Sequence, residues 1–590
     1  MNTKIYLSLQ TAFLCAIMLV WSLNASAQGR RVTGRITGPD GLIPGVNVVL
    51  KGTSTGTTTD ANGDFSLALK SDSDVLVVSA IGYKSKEIAV GNQSTLNISL
   101  DEEASTLNEV VVTGYTTDSK RETTGAVSTV KARDLTATPS GNVEQQLQGR
   151  VAGVTVITNG QPGTASQIRV RGFGSFGGNQ PLYIVDGVPV GGIDFLNPGD
   201  IENTTVLKDA ASSSIYGARA ASGVIVVTTK KGQRNARKLT VTYDGLYGVT
   251  DPGTGQKMLN PTDFATWTWN AFKNDGFQSG KAPVFNHPQF GTGETPVIPD
   301  YINVGGRSGV TGSVDLAAEQ PKYNVNPGAG PIYQVVRANK EGTDWYDAIT
   351  RVAPLQRHSF GFSGGTEASR YYVGLSAQDQ QGILSNNSFK RYAFRVNTEF
   401  DILKNLRFGE NIQFTYIQTL GRSGDAENGN GTSVASSEND ILQAFRMPSI
   451  IPVYDEFGGY AGTAAKGFNN PRNPVANRDG QANDRNYTGA GIGNAYLEYD
   501  PIPGLTLRSS LGGVYGSGSY RFYSRLQYEN SENNSAFGYG EGSNYFLAWT
   551  LTNTANYKKR FGDHGIDVIV GQEALNTGAG RRLNSNGQNP

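Results

Sequence analysis

Long runs of alternating apolar and polar residues constrain the fold of this chain more than any other feature. In Tyr371–Gln378, Tyr392–Asp401 and Leu406–Tyr416, alternate positions are mostly aromatic or aliphatic, and the positions between them are mostly polar or charged. A period of two predicts β-strands with one apolar and one polar face. Run lengths of about ten residues, with tyrosine or phenylalanine near the run ends, favour strands of a membrane barrel.

The alternation alone leaves two architectures open. A membrane barrel turns its apolar face to lipid and its polar face to water, whereas a soluble sandwich does the reverse. A membrane sheet must also close, because hydrocarbon leaves the backbone groups of an open edge unpaired. Glu410 falls on the apolar face of its run, and we expect it near a rim.

The N-terminus, Met1–Ala27, predicts a secretory signal peptide. An apolar run, Ile5–Leu23, is followed by a small-residue cleavage site between Ala27 and Gln28. An uncleaved membrane anchor is the alternative. The single cysteine of the chain, Cys15, lies in this segment, so the mature chain offers no disulfide, thiolate nucleophile or cysteine–metal site.

Composition excludes several classes of function. The 590 residues are too many for one ordinary domain, and 51 basic residues balance 51 acidic ones, which gives no electrostatic reason to expect nucleic acid as a partner. The three histidines are scattered without metal-ligand spacing, and among the many serines no GxSxG nucleophile elbow is evident. We therefore expect no catalytic residue, metal or cofactor, and a protein that is not an enzyme.

A glycine-rich stretch, Thr138–Gly232, predicts a compact mixed α/β domain of about a hundred residues. Apolar residues at strand spacing occur at Ile168/Val170 and Leu182/Ile184, and Gly223–Thr229 is a β-branched run. Two short helices are expected, one at Val143/Leu147 and one at Ile201/Val206.

Charged residues and glycines of this stretch suggest two possible sites. Arg169 and Arg171 share one strand face and Asp186 ends the next run, which predicts buried ion pairing within the domain or against a barrel wall. The glycines of Gly172–Gly177 form GxGxxG, the pattern of a phosphate-binding turn. The following Gly178–Pro181 leads into another strand rather than a helix, so we reject a nucleotide site.

The same stretch carries a family resemblance. GRVAGV, RGFGS, PLYIVDGVP, YGARAA and TKKG follow one another in that order. This order resembles the plug domain of TonB-dependent outer-membrane transporters, and more narrowly the SusC/RagA family, which imports oligosaccharides or peptides. The resemblance implies a plug inside a large β-barrel, with plug-core residues that include Arg169, Arg171, Gly172, Asp186 and Gly187.

Residues 28–100 predict a small β-sandwich. VTGRITGPDG, ANGDFSL and IGYKS resemble the carboxypeptidase-regulatory-like domain, a binding or spacer module that commonly precedes the plug in that family. Asp60, Asn62 and Asp64 have the spacing that opens a calcium loop. Phe65 and Ser71 stand where that loop needs Gly and Glu, so a polar turn is the favoured interpretation.

An acidic lead and a β-branched run form the segment Asp101–Tyr115. Nothing nearby obviously pairs with the run, and free backbone groups are a template for strand addition. A last sandwich strand or a linker is the alternative. The position before the plug resembles the TonB box, which hands a strand to the periplasmic protein TonB. The segment so assigned is Glu109, Val110, Val111, Val112, Thr113, Gly114 and Tyr115.

Two long polar stretches, Asp251–Ala348 and Gly421–Thr488, interrupt the strands and are expected on the cell exterior. Trp267, Trp269 and Trp345 lie in the first, and either stack on sugar rings, contact a lid protein or pack the loops on themselves. The second contains DEFGGYAGT and NPRNPVANRDG, which resemble extracellular loops of the SusC/RagA family.

The predicted organisation is a signal peptide at 1–27, a carboxypeptidase-regulatory-like β-sandwich at 28–100, a TonB-box linker at 101–116, a plug at 117–232 and a transmembrane antiparallel β-barrel at 233–590. About ten strand candidates follow residue 238, against about 22 in the family barrel. The last residues, 584–590 (NSNGQNP), read as a loop. We expect the chain to be an N-terminal portion of such a protein.

The resemblance implies TonB-dependent import across the outer membrane of a Gram-negative bacterium, with the N-terminal domain in the periplasm. TonB, a SusD-like surface lipoprotein, an oligosaccharide or peptide substrate and outer-membrane lipid are the implied partners. A non-transporting surface or adhesion protein on the same barrel is the alternative. A signalling receptor is disfavoured, because residues 28–100 resemble the regulatory-like sandwich rather than a signalling domain.

Overall fold

The computed structural model describes residues 30–588, with gaps at 39–40, 54, 70, 72, 81–82, 102–109, 113–116, 120–124, 137–139, 141, 159, 175–177, 237, 422–438, 533, 535 and 563. The predicted signal peptide and its cleavage site lie outside the described residues. The chain divides into two compact units, Met1–Val110 with Ser119–Arg121, and Val111–Asp118 with Glu122–Pro590.

The N-terminal unit is a sandwich of two sheets, built from β1 (Arg31–Gly38), β2 (Gly41–Leu42), β3 (Asn47–Leu50), β4 (Gly56–Thr58), β5 (Asp64–Ala68), β6 (Val75–Ser79), β7 (Lys86–Ala89) and β8 (Thr95–Ser99). In the first sheet β1 pairs with β2, β5 and β8, and the second has the order β4-β3-β6-β7. Val32, Ile36, Val48 and Leu76 are fully buried between them. Asp60 Oδ1 accepts hydrogen bonds from the amides of Asn62 and Asp64, both at 2.9 Å, as in a polar turn.

In the stretch of sequence where the division into two units falls, β9 (Val110–Val112) pairs with β10 (Thr117–Ser119) in a two-stranded sheet. The expectation that nothing nearby pairs with this β-branched run is therefore wrong. Extended backbone has free donors and acceptors, and the nearest extended segment of the chain takes them. Glu109, Thr113, Gly114 and Tyr115 lie outside the described residues.

The second unit begins with a mixed α/β domain, residues 125–232, which we call the plug. Its strands are β11 (Val127–Lys131), β12 (Val154–Ile157), β13 (Gln167–Val170), β14 (Leu182–Val185), β15 (Val188–Val190), β16 (Ile201–Leu207) and β17 (Val224–Thr229). Five of them form a sheet in the order β11-β16-β17-β14-β15, and β12 pairs with β13. The helical segments are Ala132–Thr136, Val143–Gln146, Pro198–Asp200, Ala210–Ser213 and Ser214–Ala220.

The helix expected at Ile201/Val206 is wrong, because this segment is β16. It lies between β11 and β17, antiparallel to both. Thr204, Thr205 and Val206 are buried and β-branched, which suits a strand with neighbours on both sides. The apolar spacing that suggested a helix comes from a strand buried on both faces, where strict alternation is lost.

The largest element is a nine-stranded antiparallel sheet, which we call the wall. Its neighbours run in the order β18 (Thr240–Thr250), β21 (Ala353–Gly365), β22 (Ser369–Gln381), β23 (Ser388–Leu403), β24 (Leu406–Leu420), β25 (Arg485–Ile502), β26 (Leu505–Ser524), β27 (Gly538–Phe561) and β28 (His564–Gln588). Two short strands, β19 (Tyr301–Val304) and β20 (Val335–Arg337), pair within the first long loop. The loop predicted at the tail is wrong for residues 584–588, because β27 extends far enough to pair with them.

The two faces of the wall differ as the alternation predicts. On the outward face, Tyr392 and Phe414 are 51% and 59% exposed, whereas Arg395 and Gln413 on the inward face are 2% and 1% exposed. A soluble sandwich would bury the opposite set. Glu410 lies on the outward face inside β24, where Thr398 Oγ1 donates a 3.1 Å hydrogen bond to it.

The outward apolar band has the height of a membrane. On β23 it runs from Tyr392 to Ile402, about ten residue steps. At about 3.4 Å per step and a tilt of about 40°, this distance rises about 26 Å along the barrel axis, close to the apolar band of about 25 Å on outer-membrane barrels. Separately, no helix in the described part of the chain is long and apolar enough to span a membrane.

The two long loops fold together into one body with its own hydrophobic core, which we call the loop body. It contains the helices Pro261–Ser279, Leu316–Glu319, Trp345–Ile349, Asp440–Arg446 and Pro474–Gly480, with shorter turns at Gln320–Lys322, Pro327–Ala329 and Gln481–Asn483. Trp269 and Trp345 are 1% and 2% exposed in this core, and Trp267 is 63% exposed. Two of the three tryptophans therefore pack the loops on themselves.

Candidate functional site

A tight hairpin presents Asp186 of the plug to the wall. Asp186 and Gly187 form the two-residue turn between β14 and β15, with φ values of 48° and 89°. Positive φ at both positions defines a type I′ turn, which suits the right-handed twist of the strands and favours Asp-Gly. The side chain of Asp186 leaves this turn 6% exposed.

Arg395 of β23 meets this carboxylate from the wall. Its Nη1 donates to Asp186 Oδ2 at 3.0 Å and to Thr229 Oγ1 at 2.9 Å. Thr229 donates its amide to Asp186 Oδ1 at 3.0 Å and its hydroxyl to Oδ2 at 2.7 Å. Asn494 donates to the Asp186 carbonyl at 2.8 Å. The buried charges are thus paired and hydrogen-bonded, which burial of an ion pair requires.

A second group of contacts holds residues 194–200 of the plug. Arg391 Nη1 donates to the Asp194 carbonyl at 2.8 Å, and Tyr372 donates its hydroxyl to Asp200 Oδ1 at 2.8 Å. The Asn197 side chain and Ser359 Oγ are 3.2 Å apart. All these wall residues sit at inward positions of β21–β23, so the period of two brings them to one surface.

Apolar contact completes the interface. Ile492 and Val514 of the wall pack into the hydrophobic core of the plug. A Cβ added at Gly512 of β26 would lie only 2.9 Å from Val188. The absence of a side chain at this position of the wall therefore lets the plug pack closely against it. The plug core and the inward face of the wall are therefore one continuous packing unit.

The linker from plug to wall is fixed by charge. Arg234 is paired with Glu399 at 3.0 Å and with Asp401. The hydrogen bonds that Arg234 donates to Asp401 and Glu399 hold its pKa above the usual value. Gly232 passes so close to β21 and β22 that an added Cβ would lie 2.3 Å from the Tyr371 carbonyl oxygen. The C-terminal end of the plug is thus held at one place on the wall.

The five residues predicted for the plug core do not come together at one place. Asp186 and Gly187 reach the wall, as described above. Arg169 lies 4.0 Å above the ring of Phe173 and donates to Gln167 at 3.2 Å. Arg171 and Gly172 are exposed after β13, with φ of 60° and 87°, so their expected place in the buried plug core is wrong. Positive φ at consecutive positions turns the chain out of the strand.

The partner of Asp186 was missed by the sequence argument. Arg395 and Asn397 were placed on the polar face of their run, but nothing in the run indicates which plug residue they meet. The available signal was a charged residue in the middle of a strand of barrel length, which must face a partner or water. Within the described ranges, no cluster of three or more His, Cys, Asp or Glu residues could hold a metal ion.

Two family models match the chain. Residues 119–224 match the TonB-dependent Receptor Plug Domain, and residues 32–112 match the CarboxypepD_reg-like domain. The second match extends over β9. Neither is a model of a catalytic domain.

Relatives match over nearly the whole chain. TonB-dependent receptor P39 of Formosa agariphila is 31% identical over 93% of this chain and 46% of its own length. TonB-dependent receptor SusC of Bacteroides thetaiotaomicron is 30% identical over 94% of this chain and 51% of its own length. The chain thus spans about half the length of the curated relatives it matches.

Solved structures share the fold. The RagAB peptide importer in its open-open state superposes with a TM-score of 0.60 at 24% identity, covering 81% of this chain and 50% of that one. The closed-closed state gives 0.56 at 23% identity, covering 79% and 49%. The predicted fold class is confirmed: mainly β, with an N-terminal β-rich domain, a plug and a large antiparallel sheet of the TonB-dependent barrel type.

A plug packed on the inward face of such a sheet defines the class of TonB-dependent receptors. Within that class, the chain resembles the SusC-like receptors at about 30% identity over most of its length, which confirms the resemblance inferred from the motifs.

Proposed function

We propose that this chain serves TonB-dependent, energy-coupled import of oligosaccharides or peptides across the outer membrane of a Gram-negative bacterium. The observation that carries the proposal is the plug–wall interface around Asp186 and Arg395. It joins the plug to the wall by many buried hydrogen bonds, each of which water can replace once the plug moves. Such an interface keeps the plug inside the barrel at rest, so the barrel is closed. It still lets the plug move when TonB supplies mechanical work.

The work reaches the plug through Glu109–Tyr115. TonB pairs with this segment by strand addition, in which main-chain hydrogen bonds supply the grip. The pairing of Val110–Val112 with β10 supports an extended backbone here. A strand in a two-stranded sheet keeps one edge for a further partner. The N-terminal sandwich lies in the periplasm in this proposal.

The loop body carries the outer side of the function. A folded core under the exposed Trp267 supports a rigid surface for a SusD-like surface lipoprotein and for substrate. RagAB is named a peptide importer, whereas P39 and SusC are named only as TonB-dependent receptors. Peptide cargo therefore has a named precedent among proteins of this fold, and oligosaccharide cargo stays in the proposal from the family resemblance of the motifs.

Deletion of Glu109–Tyr115 tests the coupling. Uptake is expected to stop while substrate binding to cells stays unchanged, because the deletion removes only the segment that TonB binds. Val111→Pro, which removes a backbone donor, is expected to reduce uptake, and Val111→Thr, which keeps a β-branched strand, is the matched control. Uptake that survives the deletion refutes the coupling, and adhesion without uptake would favour a surface protein.

A further inference from the structure

Three connected depressions lie on the outward face of the wall. The first has a volume of about 640 Å³ and is lined by aromatic side chains that include Phe394, Phe414 and Tyr515. The second, of about 330 Å³, shares Tyr416 and Gly489 with the first. The third, of about 460 Å³, shares residues with the second. The volumes fall in the range of about 300–1,000 Å³ for small-ligand sites.

The lining becomes more polar along this path, from the first depression to the third. The second depression is lined by Ser517, Ser519, Ser543 and Arg581 together with tyrosines. The third reaches Arg521. An occupant must therefore be amphipathic, with a chain at one end and a polar group at the other.

The lining of the depressions becomes more polar at one height along the strands of the wall. The cross-strand register places Tyr392, Tyr416, Gly489, Tyr545 and Arg581 in one outward row. Tyrosines in such a row mark the aromatic girdle where a membrane meets water. The long loops follow the same ends of the strands, so in the proposed orientation this is the girdle of the outer leaflet. Arg581 lies at its level and Arg521 lies beyond it.

The two arginines are available for an anion. Both side chains are exposed, and neither has an ion-pair partner among the described residues. Glu541 stands in register opposite Arg521 but accepts a 2.6 Å hydrogen bond from Tyr539 instead. By contrast, Lys390 on the same face is paired with Asp379 at 3.2 Å. Guanidinium groups match the oxygens of a phosphate in a forked geometry.

We infer that the outward face of β23–β28 binds a phosphorylated lipid of the outer leaflet, with an acyl chain along Phe394, Phe414 and Tyr515 and its phosphate at Arg521 and Arg581. The inference rests on the proposed membrane location and adds a specific lipid site to it. Free phosphate would leave the apolar depression empty, and a neutral lipid would leave the arginines without a partner.

Lipid retention tests this site. The chain is purified from outer membranes in mild detergent, stripped of lipid, and titrated with monophosphoryl lipid A, its dephosphorylated form and inorganic phosphate, with native mass spectrometry as the readout. We expect the phosphorylated lipid to bind about tenfold more tightly than the dephosphorylated one, the effect of losing one charge-assisted contact. Inorganic phosphate alone is expected not to bind measurably.

Three variants locate the site. Arg521→Gln with Arg581→Gln is expected to abolish the preference for phosphate. Gly491→Leu is expected to fill the apolar depression and weaken both lipids, and an added Cβ there meets Phe414 at an acceptable 3.4 Å. Lys559→Gln, at the other end of β27, is the matched control and should change nothing.

The outcomes separate the two proposals. Equal binding of both lipids, or an arginine variant that keeps the preference, shows annular lipid only and overturns the site. Binding of inorganic phosphate as tightly as the lipid shows a simple anion site and also overturns it. Absence of the chain from the outer-membrane fraction instead overturns the membrane location itself.

Discussion

Replacing Arg395 with leucine is expected to weaken the attachment of the plug to the wall. The change leaves Asp186 buried at 6% exposure without its cationic partner, and Gln413 loses the Nε donor at 3.1 Å. Removing one member of a buried ion pair costs about 3–5 kcal/mol. The two hydrogen bonds that Thr229 donates to Asp186 remain, so we expect a value near 3 kcal/mol.

A double-mutant cycle isolates the pair. Asp186→Asn keeps the positive φ, because asparagine tolerates that conformation. The double variant should be less damaged than the two single effects predict, with a coupling of about 1–3 kcal/mol. Plug release is followed in urea by thiol labelling of Val188→Cys, which is 3% exposed and faces Gly512 of the wall. The exposed Arg560→Gln is the control, and a coupling under about 0.5 kcal/mol would refute the pairing.

Three further predictions concern the loop body and the linker. Arg478→Met should destabilise the loop body by about 3–5 kcal/mol in thermal unfolding, because Arg478 and Asp440 are fully buried and paired at 3.0 Å. Burial lowers the pKa of His287, whose Nε2 donates to the Gly467 carbonyl at 3.0 Å, so folding favours the neutral ring. Stability of the loop body is then lost as pH falls below about 6.5, and hydrogen exchange should show this in the parent chain and not in His287→Gln. Arg234→Gln should speed proteolysis of the linker without changing the fold of the sandwich.

The wall was largely predictable from the sequence because its strands face two different environments. Alternation along Tyr392–Asp401 predicted the strand and the residues that share each face, although β23 is longer, from Ser388 to Leu403. The outward face and the face that contacts the plug could not be told apart by period alone, and the burial of Arg395 with the exposure of Phe414 distinguishes them. Pairing across 209 residues, from Asp186 to Arg395, leaves no local signal.

Prediction failed where a segment is buried on both faces, or where a neighbouring segment pairs with its backbone. Ile201–Leu207 lost its alternation because both faces are packed, so its strand was taken for a helix. Val110–Val112 was expected to be unpaired because no partner was evident nearby. The residues of β10 have weak strand propensity and gave no signal in the sequence, yet β10 pairs with this run. Arg171 was assigned to the plug core by resemblance, whereas its positive φ turns it outward.

A disulfide between plug and wall tests the central claim most directly. A Cβ added at Gly199 would lie 3.2 Å from the Cβ of Ser359, close to the distance of about 3.5–4.5 Å in disulfides. The single cysteine of the sequence, Cys15, lies in the predicted signal peptide, so within residues 28–590 no other cysteine competes with the pair Gly199→Cys and Ser359→Cys. We predict that uptake stops when this bond is formed and returns on reduction, with each single variant active throughout. Full uptake with the bond intact would contradict a plug that leaves the wall.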